Sequence, residues 1–161
     1  SMGEKNKKMT KSLPPPADAF YPFCLVFGLY VVTHGHLTPG GGFQGGAVMA
    51  TGTALLIVSR SYREITGRLR QTMLKLCEAF GLMLFLLAGL QSLANARPFL
   101  GNWLTQTGGF VGSVVSYGLN PGSLDTGGLV PLLNVGVGLE VFGGLTLIIL
   151  CMLSGIKEDR P

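Results

Sequence analysis

Four long apolar stretches dominate this chain and limit what it can fold into. They cover about residues 20–36, 43–59, 73–95 and 129–153. A helix needs roughly 17 to 25 apolar residues to cross a bilayer. Charged residues make up only 12% of the 161 residues, whereas about 25% is usual in a soluble domain. The sequence therefore predicts an all-α integral membrane protein with four transmembrane helices.

The first two spans are separated only by residues 37–42, so they are expected to form a tight hairpin with a Gly-rich turn. Nonhelical backbone is tolerated at membrane depth only where other parts of the protein cover it. The chain contains 25 glycines, and glycine lets membrane helices approach closely. We interpret the glycines as packing surfaces, including Gly136 and Gly144 in the fourth span.

The run GGGFQG at residues 40–45 also fits the G-x-G-x-x-G pattern of a dinucleotide-binding turn. That pattern indicates a nucleotide only between a strand and an amphipathic helix. The stretch that follows, residues 43–59, has neither a charged residue nor a polar face. No lysine follows the glycines to neutralise a phosphate either. Both features argue against a nucleotide.

The basic residues lie almost entirely on one side of the predicted spans. If the N-terminus is cytoplasmic, eleven of the twelve Lys and Arg residues fall on the inner side and only Arg97 lies outside. Cytoplasmic segments of membrane proteins are enriched in Lys and Arg. We expect a multi-pass protein of the plasma membrane, with a basic, proline-rich cytoplasmic tail at 1–17, a membrane domain at 18–155 and a cytoplasmic tail at 156–161. This distribution also explains the net charge without nucleic acid.

The three cysteines, Cys24, Cys77 and Cys151, stand alone in separate apolar stretches. Isolated cysteines of this kind are usually small apolar residues of the core. The sequence shows no metal-ligand spacing and no nucleophile–base pair. We therefore expect no cofactor, no metal and no catalytic activity in this chain.

Two glutamates lie within predicted spans, where an ionisable side chain needs a partner or a function. Glu140 lies near the middle of the fourth span, on a face with Gly136 and Gly144. It is a candidate for proton or cation transfer, or for a structural pairing with a neighbouring chain. Glu78 lies near the inner end of the third span, where it could join an ion path or pair with Lys75, one helical turn away.

His34 and His36 lie at the end of the first span. Thr38 precedes Pro39, which disfavours helical backbone and indicates that the span ends near His36. Imidazole changes charge near neutral pH, so His36 suits a proton relay. The alternative is a histidine satisfied at the membrane interface. Together, Glu78, Glu140 and His36 predict a transmembrane proton or cation route that needs water or partner subunits to complete it. His34 and Asn134 are further candidates for this path.

The segment GHLTPGGGFQGG, residues 35–46, resembles the signature G-H-x-x-P-G-G-G-F-x-G-G of the MnhB family, the B subunit of Mrp-type Na+/H+ antiporters. The family also occurs in archaeal membrane-bound hydrogenase and sulfur-reducing complexes. The resemblance makes His36 the family histidine. It assigns the accompanying turn to these residues: Pro39, Gly40, Gly41, Gly42, Phe43, Gly45 and Gly46.

The resemblance implies a non-catalytic membrane subunit of a Na+/H+-translocating module, in a complex that can itself be an oxidoreductase. Other membrane subunits would be its partners, and Na+ and H+ the transported ions. In the fourth helix Asn134 stands where antiporter-type members have a carboxylate, and Glu140 follows six residues later. This departure favours the redox-linked complexes. The alternatives are a purely structural subunit of such a complex and a small independent homo-oligomeric transporter.

Overall fold

The computed structural model describes residues 14–59, 70–104 and 127–158, and its regular structure within these ranges is helical. The four helices are α1 Pro14–Thr33, α2 Gly42–Ser59, α3 Gln71–Ala94 and α4 Leu129–Glu158. Each contains a segment long and apolar enough to cross a membrane. The predicted all-α class with four transmembrane helices is confirmed. Residues 1–13 and 159–161 of the predicted tails, and the basic segment 60–69, lie outside the described ranges.

The first helix begins and ends earlier than the predicted span at 20–36. It begins at Pro14, in a run of three prolines. Proline suits the first turn of a helix, because its φ is already helical and its missing N–H would have no helical partner there. At the other end, the Thr33 hydroxyl donates to the carbonyls of Leu29 and Tyr30 at 3.1 and 3.0 Å. A turn replaces the helix from His34 onward.

The second helix begins directly after a turn that requires glycine. Gly40 has φ of +154°, a conformation that side-chain-bearing residues rarely adopt. The N–H of Gly41 donates to the side-chain carbonyl of Gln44 at 2.9 Å. This backward bond from the third helical position is one half of a capping box. The sequence GGGFQ thus turns the chain and starts α2 within a few residues.

Two polar side chains fix the ends of the segment that joins α3 to α4. Ser92 is fully buried, and its hydroxyl lies 2.6 Å from the carbonyl oxygen of Pro98 and 3.0 Å from that of Gly101. Asn102 accepts the N–H of Leu129 at 3.0 Å and donates to the carbonyl of Gly127 at 3.1 Å. It therefore caps the N-terminus of α4, as Asn commonly does from the residue just before a helix.

Helix α4 lies between α2 and α3, and α1 packs mainly along α2. The helices meet at glycines. A Cβ added at Gly45 would lie 2.5 Å from the carbonyl oxygen of Gly28, and one at Gly46 would lie 2.7 Å from that of Gly138. Side chains are therefore excluded at Gly45 and Gly46, where the helices approach closely.

Large apolar side chains remain exposed on the outside of the helices. Val26 and Phe23 of α1 are 70% and 60% exposed, and Met73 and Leu76 of α3 are each 58% exposed. An exposed apolar surface of this extent is typical of contact with lipid or with other membrane proteins. The buried interior is correspondingly small and rests on close backbone contacts.

Candidate functional site

The turn between α1 and α2, together with the first turn of α2, forms a compact unit that we call the glycine hairpin, residues 34–46. A Cβ added at Gly35 would lie 2.5 Å from the Cα of Gly41 and 2.6 Å from Nδ2 of Asn134. One added at Gly42 would overlap the backbone carbonyl of Asn134. The hairpin therefore packs directly on α4, and the glycines allow this close approach.

Asn134 of α4 holds the hairpin by a hydrogen bond. Its Oδ1 accepts the backbone N–H of Gly42 at 3.4 Å. That N–H belongs to the first turn of α2, where backbone donors have no partner within the helix. Asn134 Nδ2 is buried and has no hydrogen-bond partner among the described residues. Asn134 thus caps α2 from a distant helix, and its two amide N–H donors have no partner among the described residues.

His36 lies in the same hairpin with both ring nitrogens buried. Neither Nδ1 nor Nε2 has a hydrogen-bond partner among the described residues. The ring is close to the segment before α4, since its Cδ2 lies 3.3 Å from the position that a Cβ on Gly127 would occupy. Gly127 has φ of +90°. A buried polar group without a partner is costly and is common only at functional positions or beside bound water or ions.

His34 has a different environment, although it is only two residues away. Its Nδ1 lies 3.0 Å from the carbonyl oxygen of Tyr30 and 3.1 Å from the hydroxyl of Thr33. Its ring stacks on that of Tyr30 at 4.0 Å between centroids. The local helix end therefore supplies partners for His34, whereas His36 has none among the described residues.

The remaining motif residues divide between the inside and the outside of the hairpin. Gly42, Gly45 and Gly46 are buried, while Pro39 is exposed and Phe43 is 60% exposed. A Cβ at Gly41 would lie 3.0 Å from Oδ1 of Asn134. The exposed proline and phenylalanine leave one surface of the hairpin available to lipid or another membrane protein.

The two glutamates both lie at the interface of the antiparallel helices α3 and α4. A Cβ at Gly81 of α3 would lie 2.8 Å from the backbone nitrogen of Glu140 and 3.2 Å from its Cβ. A Cβ at Gly143 of α4 would lie 3.0 Å from the backbone nitrogen of Glu78. Glu140 is thus level with Gly81, and Glu78 is three residues from Gly81 on the same helix. The positions of the two glutamates along the helix axes therefore differ by only about 4.5 Å.

The carboxylate of Glu78, although carried by α3, lies against the face of α4 that carries Glu140. Oε1 of Glu78 is 3.6 Å from the position that a Cβ on Gly144 would occupy. Gly144 follows Glu140 by four residues, which places it on the same face one turn further on. Counting residues from the span ends had put Glu78 near the inner side of the membrane and Glu140 near its middle. The helix pairing instead brings them to nearly the same depth.

Within the described residues, neither carboxylate accepts a hydrogen bond or forms an ion pair. Lys75 is exposed one turn before Glu78, and no ion pair joins the two. An uncompensated charge near the bilayer centre costs roughly 2.5–3.5 kcal/mol on insertion scales. The Lys75 pairing that the sequence allowed therefore does not account for Glu78.

Two further features of the polar interior could not be predicted from the sequence. The hydroxyl of Thr146 is fully buried in α4 without a partner among the described residues. Gly127 contacts His36 from a segment 91 residues away. Both depend on how the helices pair, and such long-range contacts cannot be read from local pattern.

The cysteines and the metal-binding side chains form no cluster in the part of the chain that the structure describes. Cys24 is buried, Cys77 half-buried and Cys151 exposed, and all three are free thiols. No group of three His, Cys, Asp or Glu residues is placed to hold a metal ion within the same ranges.

Comparison with known proteins identifies the family. Residues 17–147 match the model of the domain related to the MnhB subunit of Na+/H+ antiporter. An uncharacterized protein of Methanocaldococcus jannaschii is 34% identical over 122 residues, which are 76% of this chain and 44% of that protein. The B subunit of the Na(+)/H(+) antiporter of Bacillus subtilis is 33% identical over 76 residues, 47% of this chain and 52% of that protein. The matches thus span about half the length of each relative. With four apolar helices and a family match over most of its length, this multi-pass membrane protein belongs to the MnhB-related domain family.

Proposed function

We propose that this chain is a non-catalytic membrane subunit of the Na+/H+-translocating module of a multisubunit Mrp-type antiporter or an Mrp-linked respiratory complex. The membrane-bound hydrogenase and the sulfane sulfur reductase are complexes of the second kind. Na+ and H+ are the transported ions, and the chain itself carries no cofactor. The other membrane subunits of the complex are its partners.

The unpaired imidazole of His36 is the observation that carries this proposal. Both ring nitrogens are buried without a described partner, in a hairpin that glycine contacts hold against α4. Histidine can take up and release a proton near neutral pH. In the assembled complex His36 exchanges a proton with water or with a neighbouring subunit, and Asn134 presents its free amide donor at the same turn.

Glu140 and Glu78 form a second proton- or cation-binding position on the same proposed path. They lie at nearly the same depth between α3 and α4. Acidic residues inside membrane proteins commonly mark proton or cation routes. Neighbouring helices complete the route between this position and His36.

The experiment compares His36→Gln with His34→Gln in inverted membrane vesicles that contain the whole complex. Glutamine keeps a polar side chain but cannot carry a proton at neutral pH. A positioned acid–base group typically contributes about 100-fold or more to proton transfer, so we expect Na+-dependent proton pumping to fall at least about tenfold in His36→Gln. His34→Gln is the matched control, because the helix end already satisfies His34.

The result is interpreted only after the amounts of the other subunits have been shown to be normal. Unchanged pumping in His36→Gln would refute the proposed role of His36. Loss of assembly in that variant would favour the structural alternative, a scaffold subunit whose glycine faces hold neighbouring helices. Transport by the purified chain without other subunits would support an independent homo-oligomeric transporter instead.

A further inference from the structure

The open face of α4 is the part of the molecule that the contacts above leave unexplained. It is a stripe in which Glu140, Gly144, Ile148 and Cys151 fall within about 80° of arc around the helix. Ile148 is 56% exposed and Cys151 is exposed. Among the described residues, a Cβ at Gly144 would meet only the Glu78 carboxylate, at ordinary contact distance. We call this stripe, with Glu78 beside it, the acidic face of α4.

The acidic face combines two carboxylates with exposed apolar surface. The carboxylates lie within about one turn of each other along the α3–α4 pair, and no cation contacts either of them among the described residues. Each carboxylate brings a negative charge into a membrane-spanning helix, and two such charges within about one helical turn disfavour each other. Contact with lipid alone would leave these charges without compensation.

We propose that the acidic face of α4 is the docking surface for a transmembrane helix of another subunit, which places a Lys or Arg side chain between Glu78 and Glu140. Charge complementarity identifies the partner: a cation between the two carboxylates compensates one of the two negative charges and lowers the cost of holding the other in the membrane. A free ion would leave the apolar part of the stripe at Ile148 uncovered. A helix covers both parts, and the lack of a side chain at Gly144 lets it approach closely.

The inference rests on the proposed function only in requiring a multisubunit complex. The contact holds whether or not protons or Na+ pass through it. Its test therefore measures contact rather than transport.

The experiment uses the whole complex in its native membrane. A diazirine-bearing amino acid replaces Ile148, on the acidic face, and a matched control carries the same probe at Val26, which is 70% exposed on α1. After illumination, mass spectrometry identifies the cross-linked peptides. We expect the Ile148 probe to label an apolar segment of another subunit that contains a Lys or Arg. We expect the Val26 probe not to label that segment.

The charge dependence is tested by the double substitution Glu78→Gln and Glu140→Gln in the same background. Removing one side of a buried charge pair weakens binding strongly, so the cross-link yield should fall about tenfold or more. The double substitution Glu78→Asp and Glu140→Asp keeps the charge and should retain most of the yield. Thermal denaturation of the isolated double-Gln chain checks that its fold is intact.

Several results would overturn the inference. The Ile148 probe could label lipid alone, a segment without a basic residue, or this chain's own Lys and Arg residues. A cross-link yield unaffected by the double Gln substitution would also contradict it. Because the readout is a cross-link, the inference can stand even if His36→Gln leaves pumping unchanged. It can equally fail while the proposed role of His36 holds.

Discussion

Replacing Gly46 with alanine should loosen the contact between α2 and α4. The added Cβ would lie 2.7 Å from the carbonyl oxygen of Gly138 and 2.9 Å from Cβ of Val141. Ordinary contacts of this type begin near 3.5 Å, so the two helices must separate by several tenths of an ångström. Inserting a methyl group into a packed contact typically costs about 1–3 kcal/mol. The better helix propensity of alanine offsets about 0.5–1 kcal/mol.

The expected net destabilisation of Gly46→Ala is therefore about 1–2 kcal/mol. For a chain of 161 residues, each kcal/mol corresponds to about 2–4 °C in Tm. The variant should thus unfold several degrees below the native chain. Thermal denaturation of the purified chain in detergent, followed by loss of helical circular dichroism, measures this difference.

Gly144→Ala is the matched control, also within a membrane helix. Its added Cβ would lie 3.6 Å from Oε1 of Glu78 and closer to nothing else that could clash. Only the gain in helix propensity remains, so Tm should stay the same or rise slightly. The isolated chain is the right sample, because the proposed partner helix would cover Gly144 in the complex. Equal Tm values for the two alanine variants would refute the assignment of Gly46 to a close contact and Gly144 to an open face.

Substitutions at three further positions test a helix cap, a buried hydroxyl and a left-handed backbone conformation. Asn134→Leu removes the acceptor for the Gly42 N–H and should destabilise the chain by about 0.5–2 kcal/mol, whereas Asn134→Gln keeps a neutral amide acceptor and should cost less; equal losses of Tm would count against the cap. Ser92→Ala leaves two loop carbonyls without their donor, at a cost of about 1–3 kcal/mol, and hydrogen exchange at residues 95–104 should become faster while that of α2 stays unchanged. Ala96→Gly relieves a left-handed conformation with φ of 55° and should stabilise the chain by about 1 kcal/mol, measured as a rise in Tm; a fall would contradict this reason.

The number and type of helices could be predicted from the sequence, because the cost of placing charge in a bilayer is a local property of each stretch. The ends were harder to predict. Helix α1 begins at Pro14, inside the proline-rich segment assigned to a tail, since proline fits a first helical turn. Helix α4 runs to Glu158, beyond the predicted end at 153, because water can solvate a helix that continues past the apolar core.

The environment of each candidate site residue depended on pairing between distant segments. The motif placed His36 beside glycines, but only the fold shows that neither ring nitrogen has a described partner while His34 has two. The relative depth of Glu78 and Glu140 is set by the register of α3 against α4, and counting residues from each span end could not give it. The predicted cytoplasmic location of both termini stays a prediction.

The side chains of His36, Glu78 and Glu140 have no hydrogen-bond partner among the described residues, and they lie beside the glycine contacts. Close contacts bury Gly42 and Gly46 against α4 and Gly81 against Glu140, and they fix the backbone that carries His36 and both carboxylates. In the proposed complex, a neighbouring subunit supplies partners for these side chains and recovers the free energy that a buried polar group without a partner costs. On this proposal, the same residues that make the isolated chain less stable favour its association with other subunits.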